Sequence, residues 1–476
     1  MQKRLTSSEF GLVVKGNLPF QPNSDQEEAI KQISDFIFDP DERGVFILKG
    51  YAGTGKTNLI SAFTNSLQNI RWRSVLLAPT GRAAKVIGNY ARRDAQTIHK
   101  KIFRKQVGDG GSVYFSLAEN LHRNTLFIVD EASMIGADSG NESAGVFMNL
   151  LENLFEYVYS GDNCKLILIG DTAQLPPVGS NESPALDLNY LKNAFHLNIR
   201  SFELKEVARQ QSESGILLNA TNLRQLLSQE EKTIPKLVCT PDVVRLQGDE
   251  LEDVLNSCIS KYGEDDVIII TRSNKRANLF NQSYRNRIKL YEENVCTGDK
   301  IMIVKNNYFW TGEKNPEISF IANGDIAEIT RITGRETLYD FNFVNCHIKL
   351  IDYPNLAEQE VKLIIDCLHS DNPALSQEEQ KRLYANVLED VSNEPVKGVK
   401  SQYMRNSPYY NALQVKFSYA ITCHKSQGGQ WPVVFIDQGY IKEEDIDDNY
   451  IRWLYTAFTR ASHNLYLINF NDLFFS

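Results

Sequence analysis

Eight residues, Gly50-Tyr-Ala-Gly-Thr-Gly-Lys-Thr57, constrain this chain more than any other stretch. They follow the apolar run Val45-Phe-Ile-Leu48, which reads as a buried strand. They precede Leu59, Ile60, Phe63 and Leu67, which fall at helical spacing. In that context the pattern G-x-x-x-x-G-K-[ST] closes backbone N–H groups around phosphate oxygens at a helix N-terminus. Gly53, Thr54, Gly55, Lys56, Thr57 and the adjoining Asn58 are thus the expected nucleotide-binding residues. Lys56 would reach the β- and γ-phosphates, and the Thr57 hydroxyl would coordinate Mg²⁺.

A second apolar run, Leu126-Phe-Ile-Val129, ends in Asp130-Glu131. A carboxylate at the end of a buried strand can hold Mg²⁺, so Asp130 joins Thr57 as an expected metal residue. Glu131 beside it can polarise an attacking water, which is hydrolase chemistry rather than nucleotide holding alone. Gln174, in Gly170-Asp-Thr-Ala-Gln-Leu-Pro-Pro177, follows a third run and could hydrogen-bond the γ-phosphate or that water.

A chain of 476 residues has room for two to four domains with substantial cores. No run approaches the ~18 apolar residues of a membrane span, and the N-terminal residues lack the apolar core of a signal peptide, so no membrane partner is expected. The seven cysteines are scattered singly without a C-x-x-C pair, and the seven histidines show no metal-ligand spacing. Neither a disulfide framework nor a zinc site follows, and a reducing, cytoplasmic setting is expected. A net charge of −9 argues at first sight against a nucleic-acid partner. Much of that acid is local, however, as in Glu443-Glu-Asp-Ile-Asp-Asp448, whereas residues 71–105 are distinctly basic. An acidic protein can carry a narrow positive groove.

Buried-strand runs at 45–48, 75–78, 126–129 and 166–169 alternate with helical patterns and predict a parallel doubly wound sheet. A second set lies at 267–270, 419–422, 433–436 and 465–468. Between them, about Cys296 to Leu413, short β-type runs and the turn signal Asn323-Gly324 predict an inserted, mostly β domain, with a polar helical stretch from Ser376 to Asp390. Residues on either side of Gly108-Asp-Gly-Gly111 read as a small hairpin.

The remaining motifs decide the class. They are Ala78-Pro-Thr-Gly-Arg-Ala-Ala-Lys85, Thr97-Ile-His-Lys100, Leu204-Lys-Glu-Val-Ala-Arg-Gln210, Ala420-Ile-Thr-Cys-His-Lys-Ser-Gln-Gly428 and Leu454-Tyr-Thr-Ala-Phe-Thr-Arg-Ala461. In this order, and with the P-loop, they resemble the superfamily 1B DNA helicases, RecD-like and phage Dda-like, from Gln26 to Arg460. The resemblance implies an α/β fold of two RecA-like parallel-sheet domains. The first would span residues 1–205, with a hairpin insertion at about 101–120. The second would comprise 206–295 plus 414–476 and carry an SH3-like β insertion at 296–413. It implies ATP and Mg²⁺ as cofactors, Gln26 as reader of the adenine edge, and Gly428 at the nucleotide. Arg209 and Arg460 become arginine fingers, catalytic together with Lys56, Asp130, Glu131 and Gln174. Pro79, Thr80, Gly81, Arg82, His99, Lys100 and Phe103 would meet DNA from one side, and Thr422, His424, Lys425 and Ser426 from the other. The implied activity is 5′–3′ translocation on single-stranded DNA and unwinding of forked or tailed duplex by a monomeric, nucleoid-associated motor serving repair or recombination. The hairpin would stand at the duplex junction as a wedge.

The chain lacks the extended signature, between Asp130-Glu131 and Gly170, of the superfamily's eukaryotic mitochondrial and nuclear branch. It also lacks the long N-terminal extension of larger RecD-like enzymes, so a compact motor is expected. Three rivals stand against this reading. A nucleotide-regulated GTPase switch needs Asn-Lys-x-Asp, but Asn274-Lys-Arg-Ala277 ends in alanine. A translocase that displaces proteins and separates duplexes poorly shares every motif. An intrinsic nuclease would need a further acidic cluster, and none is evident.

Overall fold

The computed structural model describes residues 5–41, 43–107, 113–136, 149–195, 197–207, 214–310, 320–392 and 397–475. Two parallel sheets and a closed barrel carry the chain. The first sheet runs in the order Ala95–Thr97, Arg73–Ala78, Arg123–Val129, Asp162–Gly170, Gly44–Gly50, Asn198–Leu204, with every neighbour parallel. Its central strands are apolar on both faces because helices cover both. Phe46 and Leu48 pack under Ile30, Ile33 and Phe63, while Val45 and Ile47 pack with Leu151 and Leu154 on the other side. All four expected runs lie inside these strands. Ala95–Thr97 and Asn198–Leu204 were not anticipated, since both are edge strands whose partly exposed residues give no apolar run.

Parallel pairing also builds the second sheet, in the order Ala420–Thr422, Val267–Thr271, Trp431–Asp437, Ala461–Ile468, Val243–Leu246. The barrel is threaded between its strands Val267–Thr271 and Ala420–Thr422. It closes through Lys300–Ile303, Ile326–Leu338, Phe341–Leu350, Gln359–Ile364 and Leu413–Phe417. The two long central strands meet in a two-residue turn, Tyr339-Asp340, with φ of 55° and 63°. Positive φ at both central residues is the hairpin geometry that matches strand twist. The sequence signals it poorly, because neither residue is glycine. Asn323-Gly324 does form a turn, closed by Asp325 N–H to Ala322 O, but it precedes the long strands rather than joining them. The polar stretch 376–390 is a helix, Gln377–Glu389, opened by a capping box between Ser376 and Glu379.

The strands Phe103–Val107 and Val113–Leu117 pair antiparallel as the expected hairpin, whose tip, 108–112, lies outside the described residues. No helix among the described residues is long and apolar enough to cross a membrane.

One buried ion pair fastens the barrel to the second sheet. Arg285, at the end of the helix Asn274–Arg287, donates to both oxygens of Asp299 at 2.8 and 2.9 Å. Asp299 also accepts from the Cys296 amide and the Tyr419 hydroxyl, and both members of the pair are almost fully buried. Removing one partner strands the other charge without water. Asp299→Ala is therefore expected to cost about 3–5 kcal/mol, read as a lowered urea midpoint for the transition that reports the barrel and second sheet. An unchanged midpoint would contradict this.

Candidate functional site

The carboxyl ends of the first sheet's strands face the second sheet across a cleft of about 280 Å³. Gly53, Gly55, Lys56, Thr57, Asn58, Asp130, Glu131 and Gln174 line it from one side, and Gly428 and Arg460 from the other. The P-loop turns on Gly55, the cap of the helix Lys56–Ser66, at φ +83°. A Cβ there would meet Gln26 Nε2 at 2.6 Å, so both backbone hand and space demand glycine. Lys56 Nζ donates to the loop's own carbonyls, Gly50 O at 2.6 Å and Tyr51 O at 2.9 Å.

Glu131 sits at φ +52°, a left-handed conformation unusual for a non-glycine residue. Its carboxylate lies 3.9 Å from Arg460 Nη1, across the cleft. Asp130 accepts the Glu131 amide at 2.9 Å. Burial, and then the neighbouring Glu131 charge, push its carboxyl up to about 6. Arg460 is 4% exposed. Its guanidinium is aimed by Thr456 O, Gly429 O and Thr459 Oγ1.

Two expected nucleotide residues, Gln26 and Thr54, behave differently. The Gln26 amide is spent inside the protein: Nε2 donates to Thr54 O at 3.0 Å and Oε1 accepts the Asn23 amide at 3.1 Å. Gln26 thus braces the P-loop from behind and does not line the cleft. Thr54 is fully buried, with its hydroxyl on Tyr51 O. Arg209 lies outside the described residues. Sequence reading missed the rings of Phe20, Tyr51 and Tyr90, which line the same cleft. No local pattern distinguishes them from other surface aromatics.

A groove of about 250 Å³ lies where the two sheets and the barrel meet. Pro79, Thr80, Arg82 and His99 come from the first sheet's loops, His424 and Lys425 from the second's, and Asn306, Phe320 and Asn323 from the barrel. Thr80 caps the helix Gly81–Ala91 through its hydroxyl, and Lys425 Nζ donates to Asn323 Oδ1 at 2.5 Å. Burial lowers His99 to about 4 and Lys425 to about 8. At neutral pH His99 is therefore uncharged, whereas Lys425 still carries its proton.

Arg82 is not free for a strand contact alone, since its guanidinium lies 3.9 Å over the Trp431 ring. Gly81 packs against Asp325 and Tyr353 of the barrel region, outside the groove. Lys100 and Thr422 do not line the groove either. Phe103 is buried at 6% with Ile98 and Ile102 in the core, so it is not a surface ring. Ser426 is fully buried, with its hydroxyl on Cys423 O. For Phe103 the buried Ile98 and Ile102 of the adjoining short helix, and for Ser426 the hydrogen bond to Cys423, decide the side-chain direction, which motif spacing does not reveal.

Residues 21–231 match the AAA domain family, and residues 417–468 match the UvrD-like helicase C-terminal domain. The uncharacterized protein R530 of Acanthamoeba polyphaga mimivirus is 25% identical over 93% of this chain and 99% of its own length. ATP-dependent DNA helicase Pif1 of Campylobacter jejuni is 23% identical over 87% of this chain and 86% of its own. ATP-dependent DNA helicase dda of Enterobacteria phage T4 is 30% identical over 37% of each chain. The chain thus carries an AAA domain followed by a UvrD-like helicase C-terminal domain, and it is similar to superfamily 1 DNA helicases of the RecD/Pif1/Dda type. The two matched segments carry the two walls of the cleft, Lys56 to Gln174 in one and Gly428 to Arg460 in the other. The P-loop makes the chain a nucleotide-using enzyme.

Proposed function

We propose that this chain couples Mg-ATP hydrolysis to 5′–3′ movement along single-stranded DNA and so opens forked or tailed duplexes. The observation that carries the reading is that both the cleft and the groove are walled by both sheets. One relative motion of the two units therefore changes the nucleotide site and the strand path together. Glu131 would take the proton of the water attacking the γ-phosphorus, while Lys56 and Arg460 neutralise charge on the equatorial oxygens. Arg209 is proposed as the second finger on the strength of its motif alone. The described residues hold no group of three or more His, Cys, Asp or Glu that could cage a metal. A hydroxyl and a carboxylate nevertheless suit Mg²⁺, which keeps water and phosphate ligands and needs few from protein. Thr57 and Asp130, on the same cleft, would hold it. When bound it would neutralise charge between the β- and γ-phosphates. The strand would lie along Thr80, His99, His424 and Lys425, whose hydroxyl, imidazole and ammonium groups suit phosphate contact without base readout. The polarity rests on the resemblance to superfamily 1B.

Hydrolysis is expected to require Mg²⁺ and to rise strongly with single-stranded DNA. Lys56→Ala should abolish turnover with the fold intact, and Glu131→Gln should bind ATP but hydrolyse it at least about a hundredfold more slowly. A steady-state ATPase assay with and without an oligonucleotide measures this; a rate indifferent to DNA would overturn the motor reading and favour the switch.

Strand separation should be efficient on a duplex with a 5′ single-stranded tail and poor on one with only a 3′ tail. The reverse result would contradict the polarity. On the same 5′-tailed substrate, replacing residues 105–115 by a short linker is expected to abolish unwinding while DNA-stimulated ATPase persists. Undiminished unwinding would remove the hairpin as the wedge.

The Lys425 shift gives a pH signature. Its folded pKa, about 8, lies below the ordinary lysine value, so the free fold gains stability as pH rises through 8 and is penalised below it. DNA contact has the opposite preference, because a phosphate needs the protonated ammonium. Between pH 7 and 9 Lys425 loses about four-fifths of its charge, so the salt dependence of single-stranded DNA binding should fall by about 0.6 in log–log slope. Lys425→Arg, whose guanidinium keeps its proton, should show no such fall. Fluorescence anisotropy over a salt series decides, and equal slopes at both pH values in the parent would exclude the contact.

A further inference from the structure

The helix Asp448–Phe458 presents Arg452, Tyr455 and Thr456 on one face, at i, i+3 and i+4, towards the loop that follows the strand Asp162–Gly170. Arg452 donates to Thr172 O, and Thr456 Oγ1 accepts the Leu175 amide at 2.9 Å. Gln427, from the same side, donates to Leu175 O at 2.7 Å. Tyr455 is the most consequential of the group. It is 1% exposed, and its hydroxyl donates to Asp171 Oδ2 at 2.6 Å while accepting the P-loop amide of Ala52 at 2.9 Å. One oxygen thereby bridges two loops of the first unit from a helix of the second.

Asp171 shapes what lies next to it. Its other oxygen accepts the Ala173 amide at 2.9 Å, and its carbonyl accepts the Gln174 amide. Gln174 therefore sits in a short arch, pinned at Asp171 by Tyr455 and at Leu175 by Thr456 and Gln427. Its side-chain Oε1 is buried without a hydrogen-bond partner, beside the cleft. Two residues beyond this helix comes Arg460. The arch, the P-loop amide and the arginine are thus referenced to one rigid element.

We infer that Tyr455 is a positioning residue for hydrolysis: its hydroxyl aligns the Gln174 arch and the P-loop with Arg460 only while the two units are apposed. The inference rests on the proposed ATPase motor and adds a route by which DNA, bridging both units, is felt at the nucleotide. A merely structural tyrosine would fill space and satisfy Asp171, and its loss would slow all turnover alike.

Tyr455→Phe keeps the ring and removes one oxygen. Steady-state ATPase is measured with and without a single-stranded oligonucleotide, alongside a thermal melt. The DNA-stimulated kcat should fall about tenfold or more, as for a lost hydrogen bond to a charged group, with KM for ATP within about twofold. The ratio of stimulated to unstimulated turnover should fall with it. Because the hydroxyl acts through Asp171, the double variant Tyr455→Phe/Asp171→Asn should be no slower than the slower single variant. Parental stimulated turnover in Tyr455→Phe, an equal proportional loss with and without DNA, or multiplicative losses in the double variant would each overturn the inference. A parent chain that DNA does not stimulate would overturn the motor reading itself, and the inference with it.

Discussion

Parallel pairing sends every loop that follows a strand to one edge of its sheet and every segment that leads into a strand to the other, and this chain uses both edges. In the first sheet the carboxyl edge gathers the P-loop, Asp130-Glu131 and the Asp171–Gln174 arch, which follow three adjacent strands. In the second the amino edge gathers Gly428 to Gln430, which lead into Trp431–Asp437, with Thr459 and Arg460, which lead into the neighbouring strand Ala461–Ile468. Two such edges set face to face make a cleft whose two walls are chemically different. One is rich in phosphate-binding amides and carboxylates, and the other supplies the guanidinium of Arg460. Neither wall holds the reaction's full complement of groups, so catalysis depends on apposition.

The apposition has its own contacts. The helix Gly81–Ala91 docks on the second unit by stacking Arg82 on Trp431, and Lys85 pairs with Asp352 at 3.3 Å. Gly428, at φ +72°, lets the backbone approach so closely that a Cβ would lie 2.7 Å from Ala83 Cβ. Gly428 lines the cleft, and Arg82 and Trp431 line the groove, so this interface borders both. Two of the groove's cationic side chains, Arg82 and Lys425, are likewise held by a neighbouring ring or amide, which fixes their direction and leaves their charge in place. The net charge of −9 and a strand path lined by polar and neutral groups are then compatible, since steering can come from a few well-placed charges.

The sequence was most legible where the chemistry is local. Runs such as Val45–Leu48 and Leu126–Val129 announce buried strands because parallel sheets are covered on both faces. The loop Gly50–Thr57 carries its function within eight residues. It was least legible where side-chain direction depends on a distant neighbour. Phe103, at the base of the expected hairpin, and Ser426, within an expected motif, are both buried. Gln26, expected at the adenine, instead props the P-loop from behind. The Tyr339-Asp340 turn lacks a glycine signal because its geometry is enforced by the long strands on either side.

What the sequence by itself determined is the nucleotide chemistry and the order of the elements that deliver it, because a phosphate-binding loop needs only its own glycines, a preceding strand and a following helix. What only the tertiary structure decided is how that chemistry is shared. The Ala52 amide and the Tyr455 hydroxyl are 403 residues apart in the chain, and Leu175 and Thr456 are 281 apart. No periodicity or motif links such pairs. Their meeting follows from the packing of two sheets edge to edge, and a hydrogen bond of fixed length is too short-ranged to be foreseen until that packing is known.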